Sequence, residues 1–141
     1  MLIRKLGLYA KYWLAKIRYR HAVTFNGYTV CFAFPDSKID FKLGDIKTVI
    51  NSDFVSNMVG LYQRTIIVAR YGGKVSIGSG CGISGSTIYA MKEITIGDNV
   101  LIAPNTYVNF DVPDNSIVIG SSKASIHNNE NATKDYINRT V

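Results

Sequence analysis

Histidine and cysteine are both scarce in this chain of 141 residues, which contains two of each. The cysteines, Cys31 and Cys81, lie too far apart in the sequence to form a metal-binding knuckle, and two cysteines do not make a disulfide framework. We therefore expect two reduced, semi-buried thiols in a cytoplasmic protein. With only two histidines and no cysteine cluster, we also expect no bound metal.

Long apolar runs are absent as well. No stretch of about 20 apolar residues could span a membrane, and charges interrupt the N-terminal apolar residues every few positions. Because a secretory signal needs an uninterrupted apolar core and a small-residue cleavage site, none is expected here.

Acidic residues are missing from the first 20 positions, which hold six basic residues: Arg4, Lys5, Lys11, Lys16, Arg18 and Arg20. The rest of the chain has ten basic and ten acidic side chains, so the net charge of +6 belongs to this segment alone. A nucleic-acid-binding domain would spread basic residues over its reading surface. We therefore expect no nucleic-acid partner.

Residues 2–20 are predicted to form a helix, because apolar residues recur at three- and four-residue steps. The predicted apolar face consists of Leu2, Leu6, Tyr9, Ala10, Trp13, Leu14 and Ile17. A basic amphipathic helix with Trp and Tyr is typical of a membrane-surface element. Alternatively, the helix lays its apolar stripe on the open end of the domain that follows and covers exposed backbone there.

Turn dipeptides mark the next segment, at Asn26-Gly27 and Pro35-Asp36. The apolar run between them is a candidate strand. We assign residues 1–38 to the basic helix and this connecting segment. Short β-type pieces at irregular spacing occupy residues 39–74.

A regular six-residue repeat begins near Val75. Aliphatic residues each followed by a smaller one occur at Ile77-Gly78, Ile83-Ser84, Ile96-Gly97, Ile102-Ala103 and Val108-Asn109. Periodicity at a fixed interval sets the architecture of a chain. The longer gap between Ile83 and Ile96 predicts a small outward loop near residues 91–93.

Six residues provide one short strand and one turn, and three such units close a triangular coil of about 18 residues whose strands stack into parallel sheets. The aliphatic residue points inward, and the residue after it must be small. Ser79-Gly80 and Asp98-Asn99 fall at turns where left-handed backbone is tolerated. The predicted fold is all-β, a left-handed parallel β-helix over residues 39–120 with an N-terminal amphipathic helix. Residues 75–112 supply two regular coils, 39–74 two poorer ones, and 117–120 the last strand.

Polar residues dominate after Gly120, so residues 121–141 are predicted to be an extended or loosely docked tail.

The repeat over residues 83–102 and the closing segment 111–120, Asp-Val-Pro-Asp-Asn-Ser-Ile-Val-Ile-Gly, resemble the hexapeptide-repeat acyltransferases. These include O-acetyltransferases of polysaccharide biosynthesis and serine acetyltransferases, and the resemblance covers roughly residues 75–120. It implies a homotrimer with acetyl-CoA, or another acyl-CoA, in a groove between neighbouring helices and a hydroxyl acceptor on a sugar or small metabolite. It also implies that Ala103 lines the pantetheine groove and that Ser121, Ser122 and Lys123 face the nucleotide end, where a cation suits phosphate.

The chain departs from the family pattern in two places. Val108-Asn109-Phe110-Asp111 runs almost directly into the closing segment, where family members insert a loop with a catalytic histidine and further coils. Ser121-Ser122-Lys123-Ala124 replaces the usual Asn-Pro-Ala-Lys.

Acyl transfer needs a base to take the acceptor's proton, and the family uses histidine. His21 precedes the repeats and His127 lies in the tail, so neither is on a coil, and the catalytic residues are left unknown. Asp111 is the nearest ionisable residue to the missing loop, and its sequence context favours a turn. The γ-type carbonic anhydrases, which share the fold, need three zinc-binding histidines and are excluded. The alternative to an active O-acyltransferase is therefore a shortened, catalytically inactive relative that serves as a structural or partner subunit.

Overall fold

The computed structural model describes residues 1–53 and 63–120 in full and the backbone of residues 126–128. The elements are α1 (Leu2–Arg18), β1 (Val23–Asn26), β2 (Val30–Ala33), β3 (Lys38–Phe41), β4 (Thr48–Asn51), β5 (Ile66–Ala69), β6 (Lys74–Ile77), β7 (Gly82–Ser84), β8 (Thr87–Ala90), β9 (Glu93–Ile96), β10 (Leu101–Ile102), β11 (Tyr107–Val108), β12 (Ser116–Val118) and β13 (Ile126–Asn128). Within the described residues, no helix is long and apolar enough to cross a membrane.

The strands form three sheets that the chain visits in the same order on each turn. Sheet A has the order β1-β4-β7-β10-β12-β13, sheet B the order β2-β5-β8-β11, and sheet C the order β3-β6-β9. All pairings are parallel except the last, between β12 and β13. Over the described residues the protein is thus mostly β with parallel sheets and one helix, as predicted, and the arrangement is compatible with a parallel β-helix.

Inward side chains stack in columns along each sheet. On sheet A the column is Phe25, Ile50, Ile83, Ile102 and Val118; on sheet B it is Cys31, Ile67, Ile88 and Val108; on sheet C it is Ile39, Val75 and Ile94 beside Phe41, Ile77, Ile96 and Val112. The aliphatic members of the predicted repeat are all buried, which confirms their inward assignment. Each buried Ile or Val stabilises the fold by roughly 1.5 to 3 kcal/mol through burial alone.

The residues that follow the inward isoleucines are small because the next coil touches them. A Cβ added at Gly78 would overlap the backbone of Gly97, and one added at Gly97 would overlap Asp114. Neither glycine has a positive φ, so the close approach of stacked backbones, and not conformational freedom, requires glycine here.

The turns before sheet A use left-handed backbone at equivalent positions. Gly80, Asn99 and Asn115 have φ values of 64°, 54° and 55°. The amide of each residue donates to a carbonyl of the preceding coil, Asn99 to Ser79 at 3.0 Å and Asn115 to Asp98 at 2.9 Å. These turns confirm the prediction made for Ser79-Gly80 and Asp98-Asn99.

The sheets begin earlier in the chain than residue 39. Strands β1 and β2 lie within 1–38 and pair in parallel with β4 and β5. The apolar run after Gly27 does contain a strand, β2, as predicted. The first coil was not predicted because only its step from Phe25 to Cys31 is six residues long, and the next inward residues, Ile39 and Ile50, follow at longer intervals.

The prediction of an outward loop near residues 91–93 was wrong. Only two residues, Met91 and Lys92, connect β8 to β9, whereas four connect the equivalent strands at 34–37 and 70–73. The long gap before Ile96 arises because β9 contributes two inward residues, Ile94 and Ile96.

Helix α1 lies across the first coil and contacts β1 and β2, and the residue that follows the helix contacts β3. Tyr12 packs edge-on against Phe25 of β1, with ring centroids 6.1 Å apart. Tyr19, just past the helix, donates from its hydroxyl to the Ile39 carbonyl of β3 at 2.7 Å. Tyr12 and Ala15 are the buried residues of the helix. Tyr9 of the predicted apolar face stacks on Tyr28 with ring centroids 4.5 Å apart, whereas the rest of that face is exposed and does not form the docked side.

The sequence predicted that the strand at 117–120 would be the last one, but β12 is followed by a further strand. Residues 126–128, within the predicted tail, form β13 antiparallel to β12, with His127 opposite Ile117. The other residues of 121–141 lie outside the described part of the chain.

Candidate functional site at the end of the stack

The corner from Ala103 to Tyr107 joins sheet A to sheet B in the last complete coil. Ala103 is half-buried, and its amide donates to the Val118 carbonyl at 3.0 Å. Asn105 turns the chain with a φ of 59°, and its amide donates to the Gly85 carbonyl at 2.9 Å. The corner is thus fixed from both sides by backbone hydrogen bonds.

The end of the closing segment, after β12, lies directly beneath this corner. The Tyr107 amide donates to the Gly120 carbonyl at 3.2 Å, and the Gly120 amide donates to Thr106 Oγ1 at 3.3 Å. Ala103 and the residue that precedes Ser121 therefore lie at one corner of the fold. The proposed nucleotide-binding residues Ser121, Ser122 and Lys123 themselves lie outside the described residues.

A groove of about 400 Å³ opens beside the same coil, between sheets B and C. Its lining consists of Tyr89, Met91, Lys92, Glu93, Ile94, Tyr107, Asn109, Phe110 and Asp111. Sequence reasoning did not select Tyr107 or Asn109, although both are outward neighbours of the inward Val108 and the repeat itself marks them as surface positions.

The two carboxylates of this groove are exposed and already engaged. Glu93 lies 3.5 Å from Lys74 in an ion pair, and Asp111 Oδ1 accepts the Thr95 amide at 2.8 Å. The contact of Asp111 supports the turn interpretation, since its carboxylate ties the chain to the previous coil. Neither group is held in the buried setting that usually tunes a carboxylate into a general base.

The histidines are placed apart from one another. His21 is exposed at the start of the first coil and accepts a hydrogen bond from Arg20 Nε at 3.0 Å. The backbone of His127 lies on the outermost strand of sheet A, next to β12 and two strands from β10, which leads into Ala103. The structure thus brings the strand of His127, but not His21, to the end of the stack where the candidate site lies.

Both cysteines are buried and poorly suited to nucleophilic catalysis. Burial raises the pKa of the Cys31 thiol to about 12. Burial also raises the pKa of the Cys81 thiol to about 11, against hydrogen bonds at Val100 and Thr48 that lower it. Because the thiolate is the reactive form, these side chains act as small core residues.

Within the described residues, no group of three or more His, Cys, Asp or Glu side chains is close enough to hold a metal ion. The described residues at the corner of Ala103 offer backbone amides and the hydroxyls of Thr106 and Tyr107.

The fold and this corner define a class, a mostly β protein of parallel sheets with a groove at the last coil. Comparison with protein-family models, with curated proteins and with solved structures gave no match for this chain. Any narrower assignment rests on the residues and their arrangement.

Proposed function

We propose that the protein is an acyl-CoA-dependent O-acyltransferase built on a left-handed parallel β-helix, with acetyl-CoA as the acyl donor. The observation that carries the proposal is the closing segment held under the corner of Ala103. Strand β12 pairs with β10 in register, Leu101 with Ile117 and Ile102 with Val118. This register supports reading 111–120 as the family-like end of the repeat that it resembles.

The same corner offers a route for the donor. A pantetheine arm would lie along the backbone near Ala103, and Ser121, Ser122 and Lys123 would reach the phosphates after Gly120. The acceptor would be a hydroxyl on a sugar or a small metabolite, as in polysaccharide biosynthesis. The two buried cysteines support a location in the reducing cytoplasm.

A homotrimer is part of this proposal, because the acyl donor in the family that the chain resembles lies between two neighbouring helices. Light scattering after size-exclusion chromatography would give the mass of the particle, and a monomer at all concentrations would contradict the trimer.

The second candidate function is that of a catalytically inactive subunit, which folds and associates with copies of itself or with a longer relative. The observation that favours it is the lack of a histidine on the coils around the groove in the part of the chain described. It predicts donor binding without turnover, or no binding.

Binding of acetyl-CoA, measured by calorimetry, separates donor recognition from turnover. We expect Ala103→Trp to weaken binding at least tenfold, because a large side chain at the corner would occupy the pantetheine path. Thr24→Trp, at an exposed outward position of β1 in the first coil, is the control and should bind like the parent. Equal affinity of the two variants would overturn the placement of the donor.

Turnover is measured as thiol release from acetyl-CoA with a panel of sugar and serine acceptors. If His127 is the base, His127→Ala should abolish release while donor binding persists. Release that survives this change would exclude His127, and an absence of release across the panel would favour the inactive subunit.

A further inference from the structure

The outer face of α1 is an unusually apolar surface for a helix that already packs on a domain. We define this outer face as Leu2, Leu6, Trp13 and Ile17, which are 72%, 59%, 54% and 62% exposed. These positions are separated by four, seven and four residues, so they share one side of the helix. Ile3 and Leu14 widen the same surface, with exposed fractions of 84% and 66%.

The opposite side of the helix is fully used in docking. Tyr12 contacts Phe25 and also Tyr28, whose ring centroid lies 5.2 Å away. Leu8, half-buried, and Ala15, buried, complete the docked side. Helix α1 cannot turn its outer face inward without giving up these contacts, so that face points away from the domain.

Basic residues border the outer face on both sides. By helical geometry, Lys5 and Lys16 follow one edge, and Arg4, Lys11 and Arg18 follow the other. Two contacts agree with these positions, since Lys16 Nζ lies 5.1 Å from the Trp13 ring and Lys11 Nζ lies 4.2 Å from the Phe32 ring of β2. The first acidic residue of the chain is Asp36, so no carboxylate of the helix neutralises this charge.

We propose that α1 is a peripheral membrane anchor that lies flat on an anionic lipid surface, with its outer face among the acyl chains and its basic edges at the headgroups. An apolar face with cations along its borders matches the layering of a lipid interface, where apolar chains underlie anionic phosphates. Trp13 fits such a position because an indole prefers the boundary between chains and headgroups. A helix of 17 residues is about 25 Å long, sufficient to rest on the surface and too short to cross it.

This anchor is independent of the acyltransferase proposal, because the docking of α1 involves the first coil and the candidate site lies at the last one. It orients the β domain with its first coil toward the lipid and the corner of Ala103 away from it.

The test is co-sedimentation of the full chain with vesicles of phosphatidylcholine alone or with about 30% phosphatidylglycerol. We expect binding to the anionic vesicles, with a loss of at least tenfold in partitioning for the double variant Trp13→Ser/Ile17→Ser. The double variant Leu43→Ser/Ile119→Ser removes two residues of similar exposure, 68% and 55%, away from the helix and should bind like the parent. Thermal unfolding of each variant verifies that all three proteins are folded.

Charge is tested separately. Lys5→Glu should lower partitioning into anionic vesicles by about fivefold or more, whereas Lys92→Glu, with the same change in net charge, should have little effect. Raising the salt concentration should weaken the binding that remains. Equal partitioning of the Trp13→Ser/Ile17→Ser variant and the parent would overturn the proposal, as would a lack of binding to either vesicle. If the parent self-associates without binding vesicles, and the Trp13→Ser/Ile17→Ser variant does not self-associate, the outer face would instead bind a second copy of the chain.

Discussion

Lys42 Nζ lies 2.6 Å from Asp98 Oδ2, although 56 positions separate the two residues in the sequence. Lys42 follows β3 in the first coil and Asp98 follows β9 in the third. The pair therefore links the ends of two sheet-C strands that have β6 between them. Asp98 also accepts the Ser79 amide at 2.9 Å, and its own amide donates to Asp114 Oδ1 at 2.7 Å. Carboxylates at successive turns therefore tie each coil to its neighbour.

This pair predicts a pH dependence of stability at both extremes. The hydrogen bond from Lys42, followed by that from the Ser79 amide, lowers the pKa of Asp98 below its ordinary value of 3.8. A lowered carboxyl pKa means that stability is present above about pH 4 and is lost as pH falls through the folded-state pKa. The same pair raises the pKa of Lys42 above 10.5, so its contribution persists below that pH and is lost as pH rises further.

Lys42→Ala should raise the pKa of Asp98 only part of the way to its ordinary value, since the Ser79 amide and hydroxyl still donate to it. A carboxyl titration followed by NMR measures this shift, and Lys92→Ala serves as the control of equal charge. An unchanged Asp98 titration in Lys42→Ala would show that the pair does not persist in solution.

Gly97→Ala should destabilise the fold, because the added methyl group would meet the Asp114 backbone across the gap between coils. Overpacking of this kind costs about 1 to 3 kcal/mol. Gly7→Ala is the informative contrast, since a Cβ there meets nothing within 4 Å and Gly7 lies inside α1. Alanine should stabilise that helix by up to about 1 kcal/mol. Urea unfolding of both variants checks the opposite signs.

Ile83→Ala should be among the most damaging single substitutions in the described core. Ile83 is fully buried and stacks between Ile50 and Ile102 in the sheet-A column. Truncation leaves a cavity that the neighbouring coils cannot close, at a cost of about 2 to 5 kcal/mol. Ile46→Ala, at a position 56% exposed, should change the free energy of unfolding by less than about 0.5 kcal/mol. Similar losses for both variants would contradict the stacked column.

Thiol labelling should report unfolding and not surface chemistry. Because burial raises the pKa of Cys31 to about 12 and that of Cys81 to about 11, neither is a thiolate near pH 8 in the folded protein. We expect slow reaction with an aromatic disulfide reagent in buffer and rapid reaction of two thiols in denaturant. Fast labelling of the native chain would place at least one cysteine at the surface.

Much of the repeat could be predicted from local patterns in the sequence. The inward role of Ile77, Ile96 and Ile102 follows from the six-residue steps of the repeat, and the need for a small residue at position 97 follows from the tight corner that such a repeat demands. The left-handed turns were recognisable for a similar reason, because few residues besides Gly, Asn and Asp accept a positive φ.

Contacts between coils could not be predicted from local patterns. Thr48 Oγ1 donates to the Gly78 carbonyl at 2.9 Å and accepts the Cys81 amide at 3.2 Å. This buried contact joins residues about thirty positions apart, and no regular spacing in the sequence relates them. The candidate site shares the problem, since Ala103 and Val118 come into contact only when β12 stacks on β10.

Local patterns in the sequence indicate a β repeat, the inward position of its aliphatic residues and a helix over residues 2–20, because each property depends on neighbours within a few positions. Packing against the folded domain sets which side of that helix is buried. The most regular apolar stripe stays exposed because Leu8, Tyr12 and Ala15 find aromatic and aliphatic partners on the first coil, and a single helix cannot present two opposite faces to one surface. Which apolar face meets the domain depends on the shape of that surface, and only the folded chain provides it.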